Sequence, residues 1–443
     1  MSATKTKRKS QARRLLMEQM EGRELFAVDV FLEGNTLKID ADQFNNTAVV
    51  SKISSGALRV EHTTNGGATT TKTFTVAQSN RISSIFFRGY QGNDTFENKT
   101  SLRSEAYGDA GNDTLIGGSN ADTFHGGSGD DVLRGGAGND HLYGDGDNDQ
   151  LFGGSGVDYL YGGSGNDSLF GGDTSTVDHL FGGSGADRFL VQGTDSLRDV
   201  SSEDVRIVFK NGTSAWNEAE IQVVDRALSE MQTATGSTKV LKDTTSTRDL
   251  VIQKESTSFT DAGRNTTTDH SERYWDPWRF TWKTRHLWTE RLIQIRDFNE
   301  LNRTSSHNAM DTVIHEIAHN WDSGTERSAR GMSASAWDNF VSISGWRTST
   351  ASTHFRSGDG AWYYSKASSD GFFGDVIATG RGNSLTYGKW NPREDFATSV
   401  EAWFKIRRDS GPFAISGGIA GSNRNSFAQA KLDAVSQFIR AVS

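Results

Sequence analysis

One large apolar side chain recurs every nine residues through the middle of this chain, at Leu115, Phe124, Leu133, Leu142, Leu151, Leu160 and Leu169, then at Leu180 and Phe189 after two extra residues. Small and polar residues flank each one, so a very short strand carries a single side chain inward. Such strands bury a continuous apolar row only when stacked on their neighbours, which predicts a solenoid. Upstream, residues 26–88 alternate in the strand manner at Val28-Asp29-Val30-Phe31-Leu32, Leu37-Lys38-Ile39, Leu58-Arg59-Val60 and Ile82 to Phe87, between Gly, Asn and Thr turns. We expect a β region that runs into the solenoid and caps its N-terminal end. Downstream the period becomes helical. Ile221, Val224, Leu228 and Met231 share one face of a segment that Asn217 and Glu220 open as a capping box. Strands are expected at 239–242, 250–254 and 291–296, ahead of a helix over 308–321, which is an α+β order.

The same nine-residue period holds Asp113, Asp122, Asp131, Asp140, Asp149, Asp158 and Asp167, followed by Asp178 and Asp187, each two residues before its apolar partner. A typical frame is Gly126-Gly127-Ser128-Gly129-Asp130-Asp131-Val132-Leu133-Arg134, and a further copy around Asp94 precedes a spacer. The glycines permit turns with positive φ. Stacked turns bring aspartates two repeats apart, such as Asp113 and Asp131 or Asp140 and Asp158, close together beside backbone carbonyls. That is oxygen-rich coordination suited to Ca²⁺. The stretch resembles the repeats-in-toxin (RTX) calcium-binding parallel β-roll, and the resemblance implies several structural Ca²⁺ ions. The pattern departs where Asn120 replaces a glycine, where Asp145 and Asp147 interrupt the glycines, and where the 171–181 copy is too long. Without cations the carboxylates repel, so folding and calcium binding are expected to be linked. Extracellular calcium modules have Kd of about 10⁻⁴ to 10⁻³ M, too weak to fill in a cytosol, so an extracellular or cell-surface location is expected.

Charge sharpens this picture. The chain has a formal net charge of −9, residues 1–14 carry six basic and no acidic side chains, and residues 89–195 carry 18 acidic and 4 basic ones. An acidic block of that kind argues against nucleic acid and for cations. No run of 18 apolar residues exists, so no helix is expected to span a membrane, and cell-surface association would need another means. The basic segment 1–25 reads as disordered or targeting. Leu15-Leu16-Met17 leads straight into Glu18, Glu21 and Glu24, unlike an ordinary secretory signal. With no cysteine, any transition metal must be held by His and carboxylates.

Such a set is present. His315-Glu316-Ile317-Ala318-His319 places two imidazoles four residues apart on one helix face, with Glu316 beside them, the spacing of a zinc peptidase. A third ligand is needed. The residues after His319 carry Asp322 and Thr325 where a metzincin would have glycine and a further ligand, and Asn339 stands where a short thermolysin-like spacing would have Glu. Glu394, in Asn391-Pro392-Arg393-Glu394-Asp395-Phe396-Ala397, remains as a candidate, though a Glu three residues after an Asn cap also completes a capping box. Asp322 can orient a ligand imidazole or lie on the surface.

The motif followed by Tyr387 and, seven residues later, Glu394-Asp395-Phe396-Ala397 is similar to the gluzincin catalytic domain of the anthrax lethal factor and Pro-Pro endopeptidase group, over about residues 214–443. The resemblance implies Zn²⁺ held by His315, His319 and Glu394, with Tyr387 over the metal. It departs from the family in its 79-residue separation of His315 from Glu394, and in Thr398 where many members have a carboxylate. In this chemistry Glu316 takes a proton from the metal-activated water and returns it to the leaving amine, and Tyr387 hydrogen-bonds the oxyanion. A peptide substrate could pair with the strand 291–296.

The expected architecture is therefore multidomain. A basic segment 1–25 precedes a β-rich cap 26–88, a calcium-binding β-roll 89–195, a connector 196–213 and an α+β zincin-like domain 214–443. The expected function is a secreted or cell-surface zinc endopeptidase acting on protein or peptide substrates. The alternative is a calcium-dependent surface or matrix adhesion protein with an inactive peptidase-like domain.

Overall fold

The computed structural model describes residues 28–201, 203–211, 215–238, 241, 250–255, 263–276, 281–296 and 426–442, with short stretches at 313–315, 317–318, 346–347, 355–356, 363–364, 396–397, 399–400 and 403–404. The segment 1–25 lies outside them. The chain divides into two units, residues 1–185 with 193–200, and residues 186–192 with 201–443.

In the first unit, successive nonapeptides alternate between two sheets. Thr123–Ser128 lies in one, Val132–Ala137 in the other, and His141–Gly146 returns to the first. One coil therefore takes 18 residues. Phe124, Leu142 and Leu160 are in parallel register on one sheet, and Leu133, Leu151 and Leu169 on the other. All of these, with Leu115 and Leu180, are fully buried between the sheets, as the nine-residue apolar period requires. The two extra residues do not break the ladder. They loop out at 173–177, where Asp173 Oδ1 accepts from the amides of Ser175 and Thr176, and Leu160 still pairs with Leu180.

The spacer after Asp94 is also part of the coil. Arg103–Ala110 pairs in parallel with Ser84–Gln91 and with Thr123–Ser128, and Ala106 occupies the inward position between Phe87 and Phe124. Phe96 from the facing sheet contacts both rings, at 5.0 and 6.3 Å between centroids, and so fills the volume the alanine leaves. The β-rich N-terminal region goes further than capping. Thr36–Asp40 pairs in parallel with Ser84–Gln91 and Asn46–Lys52 with Thr95–Lys99, adding one more strand of coil to each sheet. The ladder then reverses into antiparallel strands. Asp29–Glu33 joins Thr36–Asp40 through Gly34 (φ 62°), while Leu58–Thr64 and Thr70–Phe74 extend the other sheet.

In-register repetition also aligns the outward side chains. Tyr107, His125, Tyr143, Tyr161 and Phe181 stack in one column with centroids 4.9, 4.5, 4.8 and 4.6 Å apart. His141, Tyr159 and His179 form a second column at 4.9 and 4.6 Å. Ring faces cover one another along the coil axis, and only their edges face outward.

The second unit contains a mixed sheet. Arg188–Val191, Val205–Asn211, Leu250–Glu255 and Thr281–Arg296 are successive parallel neighbours, and Gly263–Asp276 pairs antiparallel with Thr281–Arg296. Residues 196–213, expected as a connector, contribute Val205–Asn211 to this sheet, while Ser196–Arg198 belongs to the first unit and pairs in parallel with His179–Ser184. The expected strand 250–254 forms, whereas of 239–242 only Leu241 is described, in a turn. The helix Glu218–Thr235 connects Val205–Asn211 to Leu250–Glu255. Asn217 caps it in a reciprocal pair with Glu220, and Gly236 in the left-handed region ends it. Its Ile221, Val224, Leu228 and Met231 are fully buried.

Two buried ion pairs fasten this helix. Lys254 Nζ donates to both Glu220 oxygens at 2.7 and 2.8 Å, and Arg188 Nε donates to Asp225 Oδ1 at 2.8 Å while its Nη1 donates to Gln232 Oε1 at 2.5 Å. The terminal helix Ser426–Val442 buries Leu432, Val435, Phe438 and Ile439. It meets the helical residues 396–397 and 403–404 through a 5.7 Å ring contact of Phe396 with Phe438 and a 2.8 Å bond from Trp403 Nε1 to Ser436 Oγ.

One expectation is overturned. Residues 291–296 form the end of a strand paired on both sides, Leu292 with Val251 on one and with Thr266 on the other. It therefore has no free edge for a substrate. Among the described residues the outer edge of this sheet is Gly263–Asp276. The sequence could not show this, because pairing partners lie tens of residues away.

Candidate metal centres

The periodic aspartates form two columns along the coil. In one, the amides of Asp94, Asp113, Asp131 and Asp149 donate to Oδ1 of Asp113, Asp131, Asp149 and Asp167 at 2.6 to 2.9 Å. In the other, the amides of Asp122, Asp140 and Asp158 donate to Oδ1 of Asp140, Asp158 and Asp178 at 2.7 to 2.9 Å. Each carboxylate thus reaches back one coil and spends one oxygen on the backbone there. In the second unit Asp187 follows the same rule, its amide donating to Asp204 Oδ1 at 3.0 Å. Asp204 was not recognisable from sequence, because no Gly-rich frame precedes it.

The second oxygen differs. Oδ2 of Asp94, Asp113, Asp131, Asp140, Asp149, Asp158 and Asp178 is buried without a hydrogen-bond partner. Asp122 departs from this, since its Oδ2 accepts from the amide of Gly118 at 2.9 Å. Glycine makes room for these oxygens. A Cβ on Gly126 would lie 2.3 Å from Asp131 Oδ2 and 2.8 Å from the carbonyl oxygen of Gly144, so a carboxylate and a carbonyl converge on one point beside it. Gly127 is needed differently. Its φ is 115°, and a Cβ there would meet the carbonyl of Asp109 at 2.1 Å. Asp145 and Asp147 adopt φ of 75° and 73° in that region, so the interrupted turn keeps the same path, and Asp147 Oδ2 accepts from the amide of Gly129 at 3.0 Å.

Burial raises these carboxyls well above the ordinary aspartate range: Asp113 to about 6, Asp94, Asp131, Asp140 and Asp158 to about 7, and Asp149 to about 9. Neighbouring carboxylates add to the effect, as Asp167 and Asp131 do for Asp149. Orphaned, buried oxygens of like charge are what a hard divalent cation would satisfy. Among the described residues no three His, Asp or Glu side chains come together as a group, so coordination must draw on backbone carbonyls as well.

Residues 107–190 are RTX calcium-binding nonapeptide repeats. They match that family in four overlapping copies, at 107–142, 125–160, 143–175 and 161–190. Calcium binding by such repeats accords with the orphaned oxygens, and the match takes in Asp113 through Asp187. No curated protein and no solved structure matches the chain significantly.

Of the expected zinc set, His315 is described, and Glu316, His319, Asp322, Tyr387 and Glu394 lie outside the described residues. His315 is buried on a helix whose Val313, Ile314, Ile317 and Ala318 are all fully buried. The described residues of this helix are thus all buried. Just after Glu394, Phe396, Ala397 and Val400 are likewise buried and helical.

Proposed function

We propose that the chain is an extracellular or cell-surface zinc endopeptidase whose calcium-binding coil serves as a folding switch, spacer or targeting module. The observation that carries this reading is the sequence His315-Glu316-x-x-His319, with His315 on a buried helix. A buried imidazole is positioned for a ligand more firmly than a surface one, and two imidazoles with one carboxylate form a donor set that suits zinc. The order in the second unit supports it. Parallel strands, a crossover helix and an antiparallel edge strand precede the motif, and Gly263–Asp276 offers amides and carbonyls on which an extended peptide could lie.

His315, His319 and Glu394 would hold the metal, which when bound supplies Lewis acidity enough to bring the pKa of water to about 7. Glu316 takes up the proton released by the attacking water and delivers it to the amine that leaves. Tyr387 donates a hydrogen bond to the oxygen on which charge develops.

The test is Glu316→Gln against a broad peptide library, with zinc content measured in parallel. The expected result is one zinc per chain and cleavage reduced by at least about a hundredfold. Unchanged cleavage with zinc retained would exclude the role given to Glu316. An absence of cleavage by the unmodified protein would instead leave the domain a binding module.

A further inference from the structure

We infer that the turn ahead of the first repeat forms a calcium site of its own, from Asp42, Asn46 and Asp94, outside the residues that match the repeat family. The ladder rule locates it. Within the coil the donor to each such Oδ1 comes from one coil back, an aspartate amide in most turns and the amide of Ser104 for Asp122, whereas the donor to Asp94 Oδ1 is the amide of Asn46, at 2.7 Å and 48 residues away in sequence. Asn46 thus stands where the column would have its next aspartate.

Asp42 completes the group. Its Oδ1 accepts from the amide of Phe44 at 2.9 Å and from Asn46 Nδ2 at 3.0 Å. These bonds consume one side of each group and leave Asp42 Oδ2, Asn46 Oδ1 and Asp94 Oδ2 buried with no hydrogen-bond partner. The three residues are 2, 1 and 1 % exposed. The charged groups acting on Asp94 are Asp113 and Asp42, both acidic. An orphaned amide oxygen and two orphaned carboxylate oxygens, buried in three residues that Asn46 ties together by hydrogen bonds, are a costly arrangement that a bound cation would relieve.

The chemistry selects the ion. All donors are oxygen, with neither imidazole nor thiolate, which disfavours zinc and copper. The set is gathered from the segment 42–46 and from the distant residue just ahead of the strand Thr95–Lys99, with the carbonyl of Gly108 near Asp94 Oδ2 beside Gly89. An irregular, all-oxygen set of this kind suits calcium better than the strict octahedron of magnesium. Residues 41–46, Ala-Asp-Gln-Phe-Asn-Asn, contain no glycine, so the site has no repeat signature. Its position gives it a role at the ladder's N-terminal end, where Asp94 would otherwise face no further carboxylate.

The experiment is calcium titration of the full chain by calorimetry, with equilibrium dialysis for stoichiometry, on the unmodified protein, Asp42→Asn and Asn46→Asp. Asp42→Asn keeps an oxygen for Phe44 and Asn46, so the turn retains its hydrogen bonds while losing a charge. The expected result is one Ca²⁺ fewer per chain with the other affinities unchanged. Asn46→Asp adds a charge, and the expected result is an unaltered count with one site tightened about tenfold. The inference is overturned if Asp42→Asn binds the same number of ions with the same affinities, or if Asn46→Asp alters no site.

Discussion

The amide of Asp131 donates to Asp149 Oδ1 at 2.8 Å, and the other oxygen of Asp149 is left buried and unpartnered. One carboxylate therefore serves the backbone of the preceding coil and awaits a cation at the same time. Burial holds its carboxyl up at about 9.

Because the raised carboxyls favour the protonated form, the metal-free coil should be more stable in mild acid. The unfolded value is 3.8, and folded values run from about 6 for Asp113 to about 9 for Asp149. A pKa raised on folding contributes stability fully present below the unfolded value and lost as pH rises through the folded one. Melting followed by circular dichroism in chelator should give a Tm that falls between pH 5 and pH 9. Saturating calcium should abolish or reverse that trend, since it stabilises the ionised form. A metal-free Tm that rises over this interval would contradict the assignment of these carboxyls.

Asp149→Asn should act with opposite signs in the two states. The amide keeps an oxygen for the Asp131 amide and is neutral at any pH, so folding no longer has to protonate a buried carboxyl. Metal-free stability should rise by about 1 kcal/mol, while the calcium-induced rise in Tm should shrink. Parallel melts with chelator and with calcium read both effects, and a variant less stable than the parent in both would exclude this account.

Gly126→Ala and Gly34→Ala separate crowding from conformational strain. At Gly34 the new methyl meets nothing within 4 Å, so only the positive φ acts against it, by about 1 kcal/mol. At Gly126 it collides with Asp131 Oδ2 at 2.3 Å and the Gly144 carbonyl at 2.8 Å, where about 1–3 kcal/mol is expected together with a lost calcium ion. Denaturant unfolding and calcium stoichiometry should rank the two in that order.

In the second unit, Lys254→Met alone leaves Glu220 charged and buried, for which a loss of about 3–5 kcal/mol is expected. Adding Glu220→Gln should recover most of it, because no lone charge then remains. Equal instability of the single and double variants, in urea unfolding monitored by tryptophan fluorescence, would show that something other than charge holds this contact.

The coil was legible in sequence because its period is short and each repeat carries its own turn, strand and ligand. Leu142 could be placed in the core, and Asp140 in the column of aspartates, from local pattern alone. Asn217 and Glu220 announced their helix for the same reason, since a cap is local. What was hidden depends on long-range pairing. Ala106 is too small to mark a core position, and only its place between Phe87 and Phe124 reveals one. Asn46 and Asp42 lack the glycine frame, and their tie to Asp94 spans 48 residues. The strand 291–296 looked available as an edge because nothing in its own residues records that Val251 and Thr266 flank Leu292.

Each coil of the 18-residue ladder exchanges hydrogen bonds with the one before and the one after. Its energetics are then those of a one-dimensional chain of coupled links. A break at a terminal link shortens the ordered array by one member. The same break at Asp140 divides it into two weaker arrays, each with a newly exposed end, so the harm done by losing one ligand depends on its position along the coil more than on its own bonds.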